Sequence, residues 1–161
     1  MSQSTLLHTL FQYKSWANQE LITALRQIDA QAHPKSYRLA VRLLNHTHVV
    51  DCIFAAHLTG ATHSYEATNT VETPSIDELA AALDEMDGWL IHYVPTLTPE
   101  QLSEKIEFTF TDGKAGRMSR EEMLAHLVTH GNYHRGAIGR ILSEMSITPP
   151  RDIFTGWLHR G

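Results

Sequence analysis

One cysteine, Cys52, stands among 161 residues. An intramolecular disulfide needs two, and so do the paired-cysteine zinc and redox motifs, so the chain itself supports neither chemistry. A reducing cytoplasm is the expected setting. Basic charge is also scarce: Lys and Arg number 13 against 18 Asp and Glu, a formal charge of −5 with a sequence pI near 6.1. Non-specific binding to nucleic acid or to an anionic membrane draws on a basic surface, so neither is an expected partner. No stretch comes near the roughly 20 apolar residues that span a bilayer. Met-Ser-Gln-Ser-Thr at the start has neither the charge nor the apolar core of an export signal, and none is expected. Glycine motifs that cradle phosphates or present a nucleophilic serine are missing, and no pair of acids presents itself for glycosidase chemistry.

What is present is a chain built to fold. Hydrophobic residues make up 42%, with three Trp, five Phe and five Tyr, and the length suits one domain over 1–161. From Thr5 to about Ile28, Leu7, Leu10, Ala17, Leu21, Ala24 and Ile28 recur at helical spacing, interrupted by Lys14. A second stripe runs from about Ser36 through Leu39, Leu43, His46, Val50, Ile53 and His57 and stops near Gly60; a loop to Thr73 follows. Ser75 with Glu78 forms a capping box that starts a third helix, with Ile76, Leu79, Leu83, Met86, Leu90 and Tyr93 inward. Alternation at Ile106, Phe108 and Phe110 before Asp112-Gly113 predicts a hairpin. Ser119 with Glu122 opens a fourth helix to about Met145, with Met123, Leu127, His130, His134, Ala137 and Ile141 inward. Phe154 and Trp157 in the tail are expected to dock on the rest. The fold class is therefore all-α: a four-helix bundle with a short β-hairpin between helices three and four.

Three histidines fall where the spacing asks for an apolar residue: His46 on helix two, His130 and His134 on helix four. An unpartnered buried imidazole costs on the order of 1–3 kcal/mol, so three together need compensation. A metal ion supplies it, because residues four apart on a helix share a face and two imidazoles there reach one ion, with a third from a facing helix. Three neutral nitrogens and an open position are the arrangement of catalytic zinc sites, where a bound water's pKa falls to near 7. Histidine-only ligation equally suits Ni²⁺, Fe²⁺ or Cu²⁺. Core histidines satisfied by hydrogen bonds are the alternative.

Other residues are placed relative to these. His126 continues the four-residue steps but lies beside the site, at the edge of the stripe. His48, two residues from His46, points about 200° away and reads as surface. His57, three turns below, reads as packed. Cys52 adjoins no activating base and reads as an inert thiol. Asp51 is a candidate to orient a ligand imidazole or accept a proton, and Tyr133 and Arg135, beside His134, are candidates to bind an anionic substrate group at the mouth. For each of the three, a plain helix-surface role is equally open.

At these residues the sequence resembles the DinB family of four-helix-bundle metalloproteins, related to bacterial thiol-dependent S-transferases. Tyr13-Lys14-Ser15-Trp16-Ala17-Asn18 is similar to the family's Y-x-x-W-A-N motif, Leu44-Asn45-His46 to its L-x-H, and the stretch from His126 through His130 and His134 to Arg135-Gly136 to its H-x-x-x-H-R-G. The resemblance covers nearly the whole chain, although Cys52-Ile53-Phe54 stands where many members carry a Trp. It implies His46, His130 and His134 as ligands of a nickel or zinc ion, an open coordination position and a homodimer. Some relatives transfer groups to low-molecular-weight thiols such as bacillithiol or mycothiol, which implies such a thiol as cosubstrate.

Two functions from different classes follow. One is a metal-dependent thiol transferase or hydrolase whose three-histidine site activates water or a small thiol against a small-molecule substrate. The other is a non-catalytic, dimeric, stress-related interaction module with a structural metal. Charged residues at 19%, against a typical ~25%, suit a chain with surface to hide between two copies.

Overall fold

The structure is a computed structural model that describes residues 3–160. Met1 and Ser2, which open the segment read above for an export signal, lie outside the described residues, as does Gly161. The first helix, α1, spans Gln3–Leu25, and a hydrogen-bonded turn carries the chain on to Ile28. Helix α2, Pro34–Thr59, begins at a proline, whose missing N–H is harmless in a first turn. It ends at Gly60, whose φ of 71° lets its N–H reach back to the carbonyls of Ala56 and His57. Ser75 and Glu78 form the expected capping box at α3, Ile76–Tyr93. A 3-10 turn at Val94–Thr96 and a five-residue helix, α4 at Pro99–Ser103, follow. Thr98 and Gln101 box the start of α4 just as Ser75 and Glu78 do for α3.

Strands β1, Lys105–Thr109, and β2, Ala115–Ser119, pair antiparallel from Lys105 opposite Ser119, through Glu107 opposite Arg117, to Thr109 opposite Ala115. Gly113, with φ at 85°, makes the turn. Helix α5, Arg120–Glu144, starts on the Ser119–Glu122 box. A last short helix, α6 at Phe154–Leu158, docks Trp157 against Tyr13 and Ala17. Helix α1 packs chiefly on α3 and α5, and α2 on α5 and α3, so α1 and α2 occupy one diagonal of a four-helix bundle. No described helix is long and apolar enough to cross a membrane.

The bundle interior has two apolar cores with a polar layer between them. Phe11, Val50, Phe54, Leu90, Leu124 and Leu127 belong to one core; Leu21, Leu25, Leu44, Leu83, Ile138 and Leu142 belong to the other. Each long helix crosses from one to the other through buried polar residues, Lys14 and Asn18 on α1, Asn45 and Thr47 on α2, Asp87 on α3 and Arg135 on α5, and Asp51 joins the layer from between Val50 and Ile53 of the first core. The Lys14 ammonium donates to Asp51 Oδ2 at 2.6 Å and to Asp87 Oδ1 at 2.7 Å, with both carboxylates as deeply buried as the cation.

Leu21, Val50, Ile53, Leu79, Leu83, Leu90, Met123 and Leu127 are buried as expected, and elsewhere the inward faces differ from the predicted stripes by about one position. Leu39, expected inside, is 53% exposed, while Ala40, Val41 and Leu44 are buried. On α3 the buried set is Leu79, Leu83, Asp87 and Leu90, with Met86 only partly covered. On α5 it is Met123, Leu124, Leu127, Val128, Gly131, Arg135, Ile138 and Leu142, and Ala137 faces solvent. An apolar count skips Asp87 and Arg135 because they are charged, and so settles on the neighbouring ridge. His130 and His134 therefore flank the core and are half-buried.

Removing one member of a buried ion group leaves the rest uncompensated, at a cost of about 3–5 kcal/mol. Lys14→Met, which strands Asp51 beside Asp87, is expected to lower the urea unfolding free energy by about that amount, at an unchanged denaturant slope.

Candidate metal centre

Helices α2 and α5 meet along a seam, and three imidazoles converge there. His46 from α2, and His130 and His134 one turn apart on α5, each offer a nitrogen, and these atoms lie within 4.8 Å of one another. His46 Nε2 and His130 Nε2 are 3.0 Å apart. The ring of His134 stands 4.7 Å from that of His46 and 4.5 Å from that of His130, centroid to centroid.

Two effects make these rings ligands in waiting. Burial, reinforced by His134, His46, His126 and Lys14, pushes the His130 imidazole down to about 3; burial and His46 also lower His134. Both rings are thus neutral near pH 7, the state in which a ring nitrogen can hold a metal. His46 is oriented from outside the cluster. Its Nδ1 lies 2.7 Å from the Thr68 carbonyl oxygen, which can only accept, so the proton sits on Nδ1 and the Nε2 lone pair faces His130. His130 Nδ1 and His134 Nδ1 are buried with no hydrogen-bond partner among the described residues. Hydrogen bonds alone therefore do not satisfy the cluster, and three half-buried imidazole nitrogens fit a divalent ion.

His126 lies against the cluster, its ring stacked on His130 at 5.2 Å and tilted against Phe54 at 5.0 Å. His57 packs on Phe108 at 4.7 Å. The surface expectation for His48 is corrected: α3 covers that flank of α2. His48 and Cys52 line a cavity of about 480 Å³ with Met86 and Trp89, with His48 Nε2 at 3.5 Å from Cys52 Sγ. Burial raises the pKa of that thiol.

The three residues nominated for catalysis are dispersed. Tyr133 is 76% exposed, its ring edge-on to His134 at 5.2 Å, on the rim of the cluster. Arg135 is not at the mouth. It is 3% exposed, donating from Nε to Asp152 Oδ2 at 2.7 Å, from Nη1 to Asn18 Oδ1 at 3.3 Å and from Nη2 to Asn132 Oδ1 at 2.5 Å. Gly131 makes this burial feasible, since a Cβ there would stand 3.0 Å from Arg135 Nη1 and 3.5 Å from Lys14 Cε. Asp51 sits in the ion layer against Lys14, and its Oδ1 is buried and unpartnered among the described residues.

Residues that sequence reasoning missed explain the motifs. Asn18 donates to Asp87 Oδ2 at 2.7 Å and accepts from Arg135, while the Tyr13 hydroxyl bonds Asp152, so the first-helix motif clasps the ion layer and the tail. Lys14 carried a signal, being the one charge on an apolar stripe. Asp87 carried a weaker one, since 83, 87 and 90 fit helical spacing as well as 83, 86 and 90. Asp152 and Thr68 lie in irregular segments, and nothing local marks them.

Comparison with known proteins gives the family of the chain. Residues 1–159 match the DinB family. Protein DinB of Bacillus subtilis (strain 168) is 24% identical over 144 residues, covering 84% of this chain and 83% of that protein.

Burial pushes Asp51 up to about 6, against the pull of Lys14 and with the help of Asp87; an unfolded Asp titrates near about 3.9. Between those values the folded chain holds a proton that the unfolded chain has released. The stabilisation this brings is complete below about pH 4 and is lost as pH rises through the folded value. The Asp51 carboxyl carbon is expected to titrate near pH 6 by NMR, and Asp51→Asn should remove this group's share of the stability change between pH 4.5 and 7. A midpoint below 4 would mean that Lys14 outweighs burial.

Proposed function

Because the chain belongs to the DinB family, we propose that His46, His130 and His134 hold one divalent ion, zinc or nickel, and that the protein is a metal-dependent transferase or hydrolase acting on a small molecule. The observation that carries this reading is the convergence of three imidazoles from two helices within 4.8 Å, with the His46 lone pair aimed inward by a backbone carbonyl. A divalent ion on three neutral nitrogens supplies Lewis acidity that brings the pKa of a water or low-molecular-weight thiol toward neutrality.

The chain's own groups hold and shape the site. Thr68 fixes the His46 ring, and His126, backed by Phe54, supports the His130 ring. Tyr133 presents an exposed aromatic face beside His134 for the organic part of a substrate. Arg135 serves from behind, holding Asn132 and Asp152 and not the substrate. Cys52 faces the cavity on the α3 side of α2, so a thiol that reaches the histidines comes from solution.

Purified protein is expected to contain zinc or nickel. Adding either ion to metal-stripped protein should raise its melting temperature, since a ligand at a thousand times its Kd adds about 4 kcal/mol. His130→Ala should abolish most of this effect; an unchanged metal content would remove the assignment. Metal-dependent, saturable turnover across a panel of small thiols with electrophiles, and of hydrolysable esters and amides, distinguishes the enzyme from a module whose metal is structural.

A further inference from the structure

Residues 61–73, between α2 and α3, form neither helix nor strand, yet they lie along α2 in a fixed antiparallel order. Thr68 accepts from His46. Asn69 and Thr70 accept from Asn45, at 2.6 and 2.7 Å. Arg42 donates to the carbonyls of Thr70 and Val71 and to the Thr73 hydroxyl. As the strap advances from 68 to 73, its partners on α2 retreat from 46 to 42.

Asn45 is the buried anchor of this strap. It is 3% exposed, and both N–H bonds of its amide are spent on Asn69 and Thr70. The Asn69 amide returns a bond to the Arg42 carbonyl at 3.0 Å, and its oxygen also accepts from the Thr70 N–H. Thr68, one peptide bond before Asn69, is itself exposed, so its carbonyl is held in place by what pins Asn69 and Thr70.

We propose that Asn45 is a positioning residue for the metal centre: through Asn69 and Thr70 it holds the Thr68 carbonyl against His46, fixing that ring in the Nδ1–H tautomer with Nε2 turned to His130 and His134. The part concerning metal rests on the three-histidine reading above; the part concerning His46 does not. Outer groups that orient a ligand histidine set affinity as well as geometry, and their loss weakens binding by about 10–100-fold.

The test uses the full chain, metal-free and then with Zn²⁺ alone. Long-range ¹⁵N–¹H NMR reads the His46 tautomer, and competition with a chelator of known affinity reads zinc binding. Wild type is expected to show the Nδ1–H signature. Asn45→Ala should lose it, populating Nε2–H, and should bind zinc about 10–100-fold more weakly. Asn69→Ala, at a partly exposed position that leaves the core intact, should do the same and carries the test if Asn45→Ala does not fold. Asn69→Asp keeps the oxygen to which Asn45 donates and should recover most of the affinity and the signature. A merely structural Asn45 would lower the unfolding midpoint and leave both readouts unmoved. The proposal is overturned if wild type shows the Nε2–H tautomer, if the folded alanine variants keep the Nδ1–H signature, or if the zinc affinity of those alanine variants equals that of a zinc-binding wild type. A wild type that binds no zinc ends the three-histidine reading, and the tautomer alone then decides whether Asn45 positions His46.

Discussion

Two carboxylates on one buried ammonium are the constraint to which the rest of this structure conforms. Lys14, Asp51 and Asp87 come from three helices, and Arg135 brings in the fourth through Asn18. An apolar seam tolerates sliding, since one leucine packs much like the next. An ion layer does not, because moving a helix by one turn, about 5.4 Å, would carry a charge into hydrocarbon. Such layers add little net stability against a well-packed apolar substitute, and their attested use is to specify register. Here the register matters because His46 lies on α2 five residues before Asp51, while His130 and His134 immediately precede Gly131 and Arg135 on α5. Fixing α2 against α5 is what lets the imidazoles meet.

The cluster is also a compromise between burial and access. Deep burial would have sealed it from solvent, and full exposure would have left the rings mobile. Lying just off the core-facing ridge of α5, the histidines are dry enough to stay neutral and open enough to be reached from the rim where Tyr133 sits. Rigidity then has to come from neighbours: a carbonyl on one ring, and on another a stacked imidazole that is itself backed by a phenyl. The irregular segment between α2 and α3 contributes as much to the site as either helix.

Much of this was legible in the sequence, and the remainder was hidden for identifiable reasons. Ser75 with Glu78 and Ser119 with Glu122 located two helix starts because capping is a local interaction. Asp112-Gly113 located the hairpin for the same reason. His130, His134 and His46 were visible as a set because their spacing and residue type coincide. Lys14 was visible only as an interruption, since its meaning depends on Asp51 and Asp87, which are 37 and 73 residues away. Arg135 was misplaced because a charged residue after a histidine of the cluster suggests a mouth, and the room that Gly131 leaves for it inside shows only in three dimensions. Thr68 contributes through its backbone, and a carbonyl has no signature in a sequence.

The hairpin has a bearing on how copies of this protein can associate. A two-stranded sheet leaves an unpaired rim on each side, and such rims recruit strands from other molecules unless something discourages them. Lys105, Glu107 and Arg117 stud this one with solvent-facing charge of both signs, and each strand is only five residues long. Strand-to-strand polymerisation is thereby disfavoured, which leaves helical faces as the surfaces through which self-assembly would proceed.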